Sequence, residues 1–223
     1  MIRNIIFDLD GTLLDTASDI HQALNDTFIH FNMPKISKEK TIAGLGHGTD
    51  HLLGYVWPMP TIDAQLLKQY KSVYLKKQLV YQLKNAHPFQ GIEPLLATLK
   101  SLHIRCFILT NKPHQVAVEI VNKHLNGYIA KTLGQIDGVM VKPDIKALQQ
   151  LMNEYQIQPN ETLFVGDSTV DIITGKNASM KTVAVSWGYN ELEQLINEKP
   201  DYLIDQPLQL VEIINQLNKK LTF

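Results

Sequence analysis

Short apolar, β-rich runs separated by helix-length intervals constrain this chain more than any other feature. Such runs stand at residues 2–7, 104–109, 162–165, 182–185 and 202–204, and helical spacing fills 92–102, 115–125, 145–155 and 208–221 between or after them. Strands of three to six residues alternating with helices predict crossover units and a parallel sheet covered by helices. The expected fold class is therefore α/β, with a Rossmann-like core. The first interval breaks the rhythm. From residue 16 to 86 there is no core strand, only helical patterns around 20–31, 38–42, 49–53 and 63–83. That interval is too long for a loop and predicts an inserted helical unit. Expected domains are thus a core of residues 1–15 and 87–223 and an insert of 16–86. Leu14-Asp15-Thr16 and Ala86-His87-Pro88-Phe89-Gln90-Gly91 are its hinges, and Pro58-Met59-Pro60 predicts a turn inside it.

Bulk properties narrow the function. A formal net charge of −1 provides no general attraction to nucleic acid or to anionic lipid, and Lys219-Lys220 reads as a solvated helix end. No long uninterrupted apolar segment or signal-like N-terminus occurs, so no membrane association is expected. The single cysteine, Cys106, sits in the apolar run Arg105-Cys106-Phe107-Ile108-Leu109 and reads as a buried, inert thiol. A cytoplasmic location follows as the expectation.

Ligands of an open parallel sheet gather beyond the carboxyl ends of its strands. Four such places here carry polar residues: Asp8-Leu9-Asp10-Gly11-Thr12, Thr110-Asn111-Lys112-Pro113, Val141-Lys142-Pro143, and Val165-Gly166-Asp167-Ser168 with Asp171 following in a helix's first turn. Singly, each is an ordinary turn or helix cap. Together, these acids, Lys142 and the Thr110–Asn111 hydroxyl–amide pair on one cleft suit a divalent cation and a phosphate group. Two acids as close as Asp8 and Asp10 resist joint ionisation unless a cation intervenes.

In this order the blocks resemble the four motifs of the haloacid dehalogenase superfamily: Asp8-x-Asp10-Gly11-Thr12, Thr110, Lys142, and Gly166-Asp167-Ser168-x-x-Asp171. The insert resembles the helical cap of one of its branches. Thr110-Asn111-Lys112-Pro113, His87-Pro88-Phe89-Gln90-Gly91 and Ser186-Trp187-Gly188-Tyr189 resemble the phosphoglycolate phosphatase-like group. The resemblance implies a Mg²⁺-dependent phosphatase that cleaves a small phosphate monoester through an aspartyl-phosphate. It implies Asp8 as nucleophile and metal ligand, and Asp10 as proton donor and base, lending the metal its backbone carbonyl. Burial among other acids would keep Asp10 protonated for that role. Asp167 and Asp171 complete the metal set, with Asp171 as a ligand or as support for one. Lys142, Thr110 and the Asn111 N–H bind the phosphoryl group, and the Thr12 hydroxyl supports the turn at Gly11. A phosphomutase, a pyrophosphatase or 5′-nucleotidase, and an idle phospho-ligand module remain the alternatives. The partner is a small phosphorylated metabolite, and the chain is expected as a monomer or homodimer.

Gly44-Leu45-Gly46-His47-Gly48 resembles that group's glycine-containing cap loop, which implies substrate contacts from Gly46 and His47; a plain flexible turn is the alternative. His47 and His51 stand one helical turn apart without further ligands nearby, and read as a solvated helix face. Trp57 and Trp187 read as packing residues, with the border of the cleft as an alternative place for Trp187. Where the group has Ala-Gly-Met, this chain has Ala178-Ser179-Met180, which implies an altered helix end there.

Overall fold

The computed structural model describes residues 1–57, 63–136 and 142–219. Eight strands are present among these: β1 (Asn4–Phe7), β2 (Leu14–Asp15), β3 (His87–Pro88), β4 (Arg105–Pro113), β5 (Ile129–Gln135), β6 (Thr162–Gly166), β7 (Lys181–Val185) and β8 (Tyr202–Ile204). The helices are α1 (Ala17–His30), α2 (Lys38–Ala43), α3 (Thr49–Val56), α4 (Ala64–Asn85), α5 (Ile92–Ser101), α6 (His114–His124), α7 (Lys146–Tyr155), α8 (Thr169–Asn177), α9 (Leu192–Asn197) and α10 (Gln209–Lys219). Pro58-Met59-Pro60, Val141, Lys220 and Leu221, on which sequence expectations also fell, lie outside the described residues.

Six strands form one parallel sheet in the order β5-β4-β1-β6-β7-β8. Its inner strands are buried along most of their length because helices cover both faces. Side-chain alternation divides the sheet between two cores. Ile5, Phe7, Cys106, Ile108, Leu163 and Val165 pack with α5, α6 and α10 on one face. Ile6, Phe107, Leu109 and Phe164 pack with Leu148 and Leu151 of α7 on the other. The α/β class holds. Sequence reasoning missed β5, whose residues are half-exposed apart from Lys-flanked Thr132, and the six-residue α9. It also ended β4 too soon: Thr110-Asn111-Lys112-Pro113 close that strand rather than follow it.

The strandless interval is helical, α1 to α4, with its own cluster of Ile20, Leu24, Phe28, Leu52, Leu53, Val56, Trp57, Tyr70 and Tyr74. Tyr70 stands at its centre, 5.0 Å from the Phe28 ring and edge-on to Trp57 at 5.3 Å. The chain enters and leaves this bundle through β2 and β3, which pair antiparallel with Leu14 opposite Pro88 and Asp15 opposite His87. The buried face of α4 is Tyr70, Tyr74, Gln78 and Gln82, a four-residue spacing that forms one stripe down the helix. No helix among the described residues is long and apolar enough to cross a membrane.

Register brings the polar blocks together. Phe7 lies opposite both Ile108 and Val165, so the residues that follow them, Asp8, Leu109 and Gly166, stand at one level beside the point where the sheet order reverses.

Candidate active site

Asp8 follows β1, Asp167 follows β6 and Asp171 lies in the first turn of α8; all three are buried. One carboxylate oxygen from each falls within 4.8 Å of the others. Lys142 Nζ stands among them, 2.8 Å from Asp8 Oδ1 and 2.6 Å from Asp171 Oδ1. The other Asp171 oxygen accepts from the Ser168 N–H (3.0 Å) and hydroxyl (2.6 Å), closing a capping box on α8. Asp171 is thus committed to a lysine and a helix end. Asp167 accepts from the Thr12 hydroxyl (2.9 Å) and the Tyr189 N–H (2.8 Å). The Thr12 hydroxyl therefore fixes Asp167, rather than supporting the local turn as expected.

Burial, then the charges of Asp171 and Asp8, push Asp167 up to about 8. Burial also dominates at Asp8, where Lys142 only partly offsets it and the carboxyl rises to about 6. Burial alone would depress Lys142, but Asp171 and Asp8 outweigh it and hold the ammonium above its ordinary range. Three buried carboxylates face one ammonium, leaving a deficit of positive charge. Asp8 Oδ1, though ion-paired, has no aligned hydrogen-bond donor. An all-oxygen donor set short of positive charge fits a hard divalent cation. Gly11 makes the approach possible: its φ is +86°, and a Cβ there would stand 2.3 Å from Asp167 Oδ2.

Asp10 is set apart from these acids. Its carboxylate receives both Lys112 Nζ contacts (2.9 and 2.8 Å) and the Thr16 hydroxyl (2.6 Å). The expected surroundings of other acids are replaced by a buried ammonium. Nothing in the local sequence announces Lys112: it contacts a residue 102 positions away, and lysine is rarely buried.

Asn111 works through its side chain. Its Nδ2 donates to Gly46 O (2.8 Å) and Lys142 O (3.1 Å), while its Oδ1 accepts from the Lys142 N–H (2.8 Å). One amide thus ties the Lys142 loop and the 44–48 loop to the end of β4. Asp8, Asp10, Thr110, Asn111, Asp167 and Gly46 all line one cavity of about 50 Å³, together with Gly48, Thr49, Tyr74 and Gln78 from the helical interval. Lys142 stands behind it, against Asp8. His47 does not line it. It is exposed, its ring 4.7 Å from that of His51. Trp187 is half-buried away from the cavity, its indole N–H donating to Thr12 O at 3.1 Å. Cys106 is buried, and burial pushes its thiol up to about 12. Ser179 takes the left-handed conformation (φ +57°), and the bonds Met180 N–H to Gly175 O and Ser179 N–H to Lys176 O close the helix as a glycine would.

The model of the haloacid dehalogenase-like hydrolase family matches residues 5–185. A phosphoglycolate phosphatase of Vibrio vulnificus (strain YJ016) is 32% identical over 219 residues, covering 96% of each chain. One from Photobacterium profundum is 29% identical over the same span, again 96% of each. A crystal structure of a predicted phosphoglycolate phosphatase from Haemophilus somnus 129PT superposes with a TM-score of 0.88 at 24% identity, covering 96% of this chain and 98% of that one.

Proposed function

The chain belongs to the haloacid dehalogenase-like hydrolase family, and we propose that it is a Mg²⁺-dependent phosphatase acting on a small phosphate monoester of the phosphoglycolate kind. The observation that carries this reading is the separation of the two acids after β1, Asp8 facing Asp167, Asp171 and Lys142, and Asp10 facing Lys112. Relatives named phosphoglycolate phosphatase, matched over 96% of the chain, support it. We assign residues 1–15 and 87–223 to a catalytic core and 16–86 to a cap. The enzyme is read as cytoplasmic, a monomer or homodimer.

Asp8, Asp167 and the Asp10 carbonyl would hold Mg²⁺, with Asp171 supporting the set through Lys142. When bound, the ion supplies the positive charge that the buried carboxylates lack and screens the phosphate dianion from Asp8. Lys142 adds its charge beside Asp8, and the Thr110 hydroxyl and Asn111 N–H donate to phosphoryl oxygens, where charge spreads during transfer. An Asp8 oxygen attacks phosphorus as the ester P–O bond breaks, and the departing alkoxide takes a proton from Asp10. Asp10 then accepts a proton from water, whose oxygen attacks phosphorus and breaks the bond to Asp8, releasing inorganic phosphate and restoring both acids. The Lys112 and Thr16 contacts aim the Asp10 carboxyl for both transfers.

A cavity of about 50 Å³ has space for only a few water-sized groups beside the acids, which favours short esters over nucleotides with the cleft shut. The test is phosphate release from a panel of small phosphate esters with and without Mg²⁺. Mg²⁺-dependent release that Asp8→Asn abolishes supports the reading; dependence on an added bisphosphate sugar would replace it with a mutase.

A further inference from the structure

Gln78 is 3% exposed on α4, lines the cleft, and its Oε1 has no hydrogen-bond partner among the described residues. An unsatisfied buried amide costs about 1–3 kcal/mol, so its retention at a ligand cavity calls for a partner that arrives with the ligand. The N-terminus of α3 opens on the same cavity. No side chain caps that helix, and Gly48 and Thr49 of its start line the same cavity. Its first N–H groups carry the partial positive charge of a helix N-terminus and suit an anion.

The loop before α3 is held close to the core. Asn111 Nδ2 binds Gly46 O, and Gly48 has φ +89° with its Cβ position 2.8 Å from Gln135 Oε1, so a larger residue would push the loop out. Both lysines buried among the described residues are already engaged, Lys142 by Asp8 and Asp171 and Lys112 by Asp10. Recognition of the far end of a substrate therefore falls to neutral donors.

Building on the phosphatase reading, we infer that the α3 N-terminus and the Gln78 amide form a carboxylate subsite. It takes the leaving group of a phosphorylated α-hydroxy acid, whose carboxylate sits one carbon from the ester oxygen. Either end of the Gln78 amide can turn to the cleft, and its Nε2 donates to the carboxylate. The subsite reads charge and length together, because the cavity it shares with Asp8 is only about 50 Å³ and suits a short acid.

Phosphoglycolate and ethyl phosphate test this, being matched in carbon count and differing in the carboxylate. Hydrolysis of both with Mg²⁺ is measured as kcat/KM for the wild type, Gln78→Met and Gln78→Glu. A ratio of two substrates on one preparation is independent of the folded fraction, so a poorly folded variant still reports. The wild type should favour phosphoglycolate, the ratio should fall at least about tenfold in Gln78→Met, and it should fall further in Gln78→Glu, where two carboxylates oppose. A wild-type ratio near one, or one unchanged in both variants, overturns the subsite and leaves the phosphatase reading standing. Release of phosphate from no ester at all overturns both.

Discussion

Lys112 Nζ reaches both carboxylate oxygens of Asp10, at 2.9 and 2.8 Å, with the lysine side chain 1% exposed and the aspartate 19%. Through this pair β4 holds the orientation of a side chain that follows β1, and it separates Asp10 from the acids around Lys142.

Lys112→Met should therefore lower kcat by roughly 10–100-fold while leaving KM nearly unchanged, because a misaimed proton donor forfeits part of the 10²–10⁴ that such catalysis contributes. Steady-state kinetics with phosphoglycolate would separate the two parameters. A rise in KM alone would mean that Lys112 binds substrate rather than positioning Asp10.

Asp8→Asn should remove turnover by about 10⁴-fold or more, since the amide is a poor nucleophile. It should not unfold the protein. Burial already pushes the Asp8 carboxyl up to about 6, so a neutral isostere relieves a charge that the folded state holds at a cost. Thermal melts alongside phosphate release would show activity lost with Tm retained.

The site is legible in the sequence wherever its residues sit together at a strand end. Asp8, Asp10, Thr110 and Asp167 do, with Asp171 in the helix turn that follows, and the sheet register then brings these blocks together. Lys112 stands inside one of the motifs, yet its role is invisible there, because its partner follows another strand and no local pattern marks a buried lysine. Gln78 is hidden for a different reason. The inward stripe of α4 is Tyr70, Tyr74, Gln78 and Gln82, so half of it is polar and reads as a solvent face. His47 stands between two glycines of positive φ, and that backbone turns it outward while Gly46 and Gly48 face the cleft. Strand β5 leaves no apolar run to detect, because six of its seven residues are partly or fully exposed.

Ser179→Gly should stabilise the protein by about 0.5–1 kcal/mol. A β-carbon in the left-handed region costs about 1 kcal/mol or more, offset in part by the greater freedom of glycine in the unfolded chain. The helix-closing bonds from Ser179 and Met180 are backbone bonds and survive the change. Urea midpoints would read it, and a midpoint at or below wild type would show that the Ser179 side chain contributes more than its strain costs.

Asp201 joins β7 to the chain entering β8. Its Oδ2 accepts from the Thr182 N–H (2.9 Å) and its Oδ1 from Lys181 (3.0 Å). Partial burial works against the carboxylate, yet the Thr182 and Lys181 contacts prevail and hold it below the usual carboxylate range. A depressed folded pKa gives stability that is present above the unfolded value near 3.8 and is lost as pH falls through the folded one. Asp201→Asn should then cost roughly 1 kcal/mol at pH 7, discounted for partial exposure, and little near pH 2. Denaturant melts at the two pH values would check the convergence.

Asp167→Asn tests the cation directly. In the metal-free protein Asp167 is pushed up to about 8 by burial and by Asp171 and Asp8, so its charge is carried at a cost in folding energy. A divalent cation bound by the folded state alone reverses that cost and stabilises by RT ln(1 + [L]/Kd), about 2.7 kcal/mol at one hundred times Kd. Wild-type protein stripped with chelator should therefore gain several degrees in Tm as Mg²⁺ is restored. The asparagine keeps the shape and an acceptor for the Tyr189 N–H but loses the charge, so its Tm should respond weakly to Mg²⁺ and start no lower than the stripped wild type. An equal Mg²⁺ response in the two proteins would remove Asp167 from the metal set and leave the acidic cluster to Asp8 and Asp171.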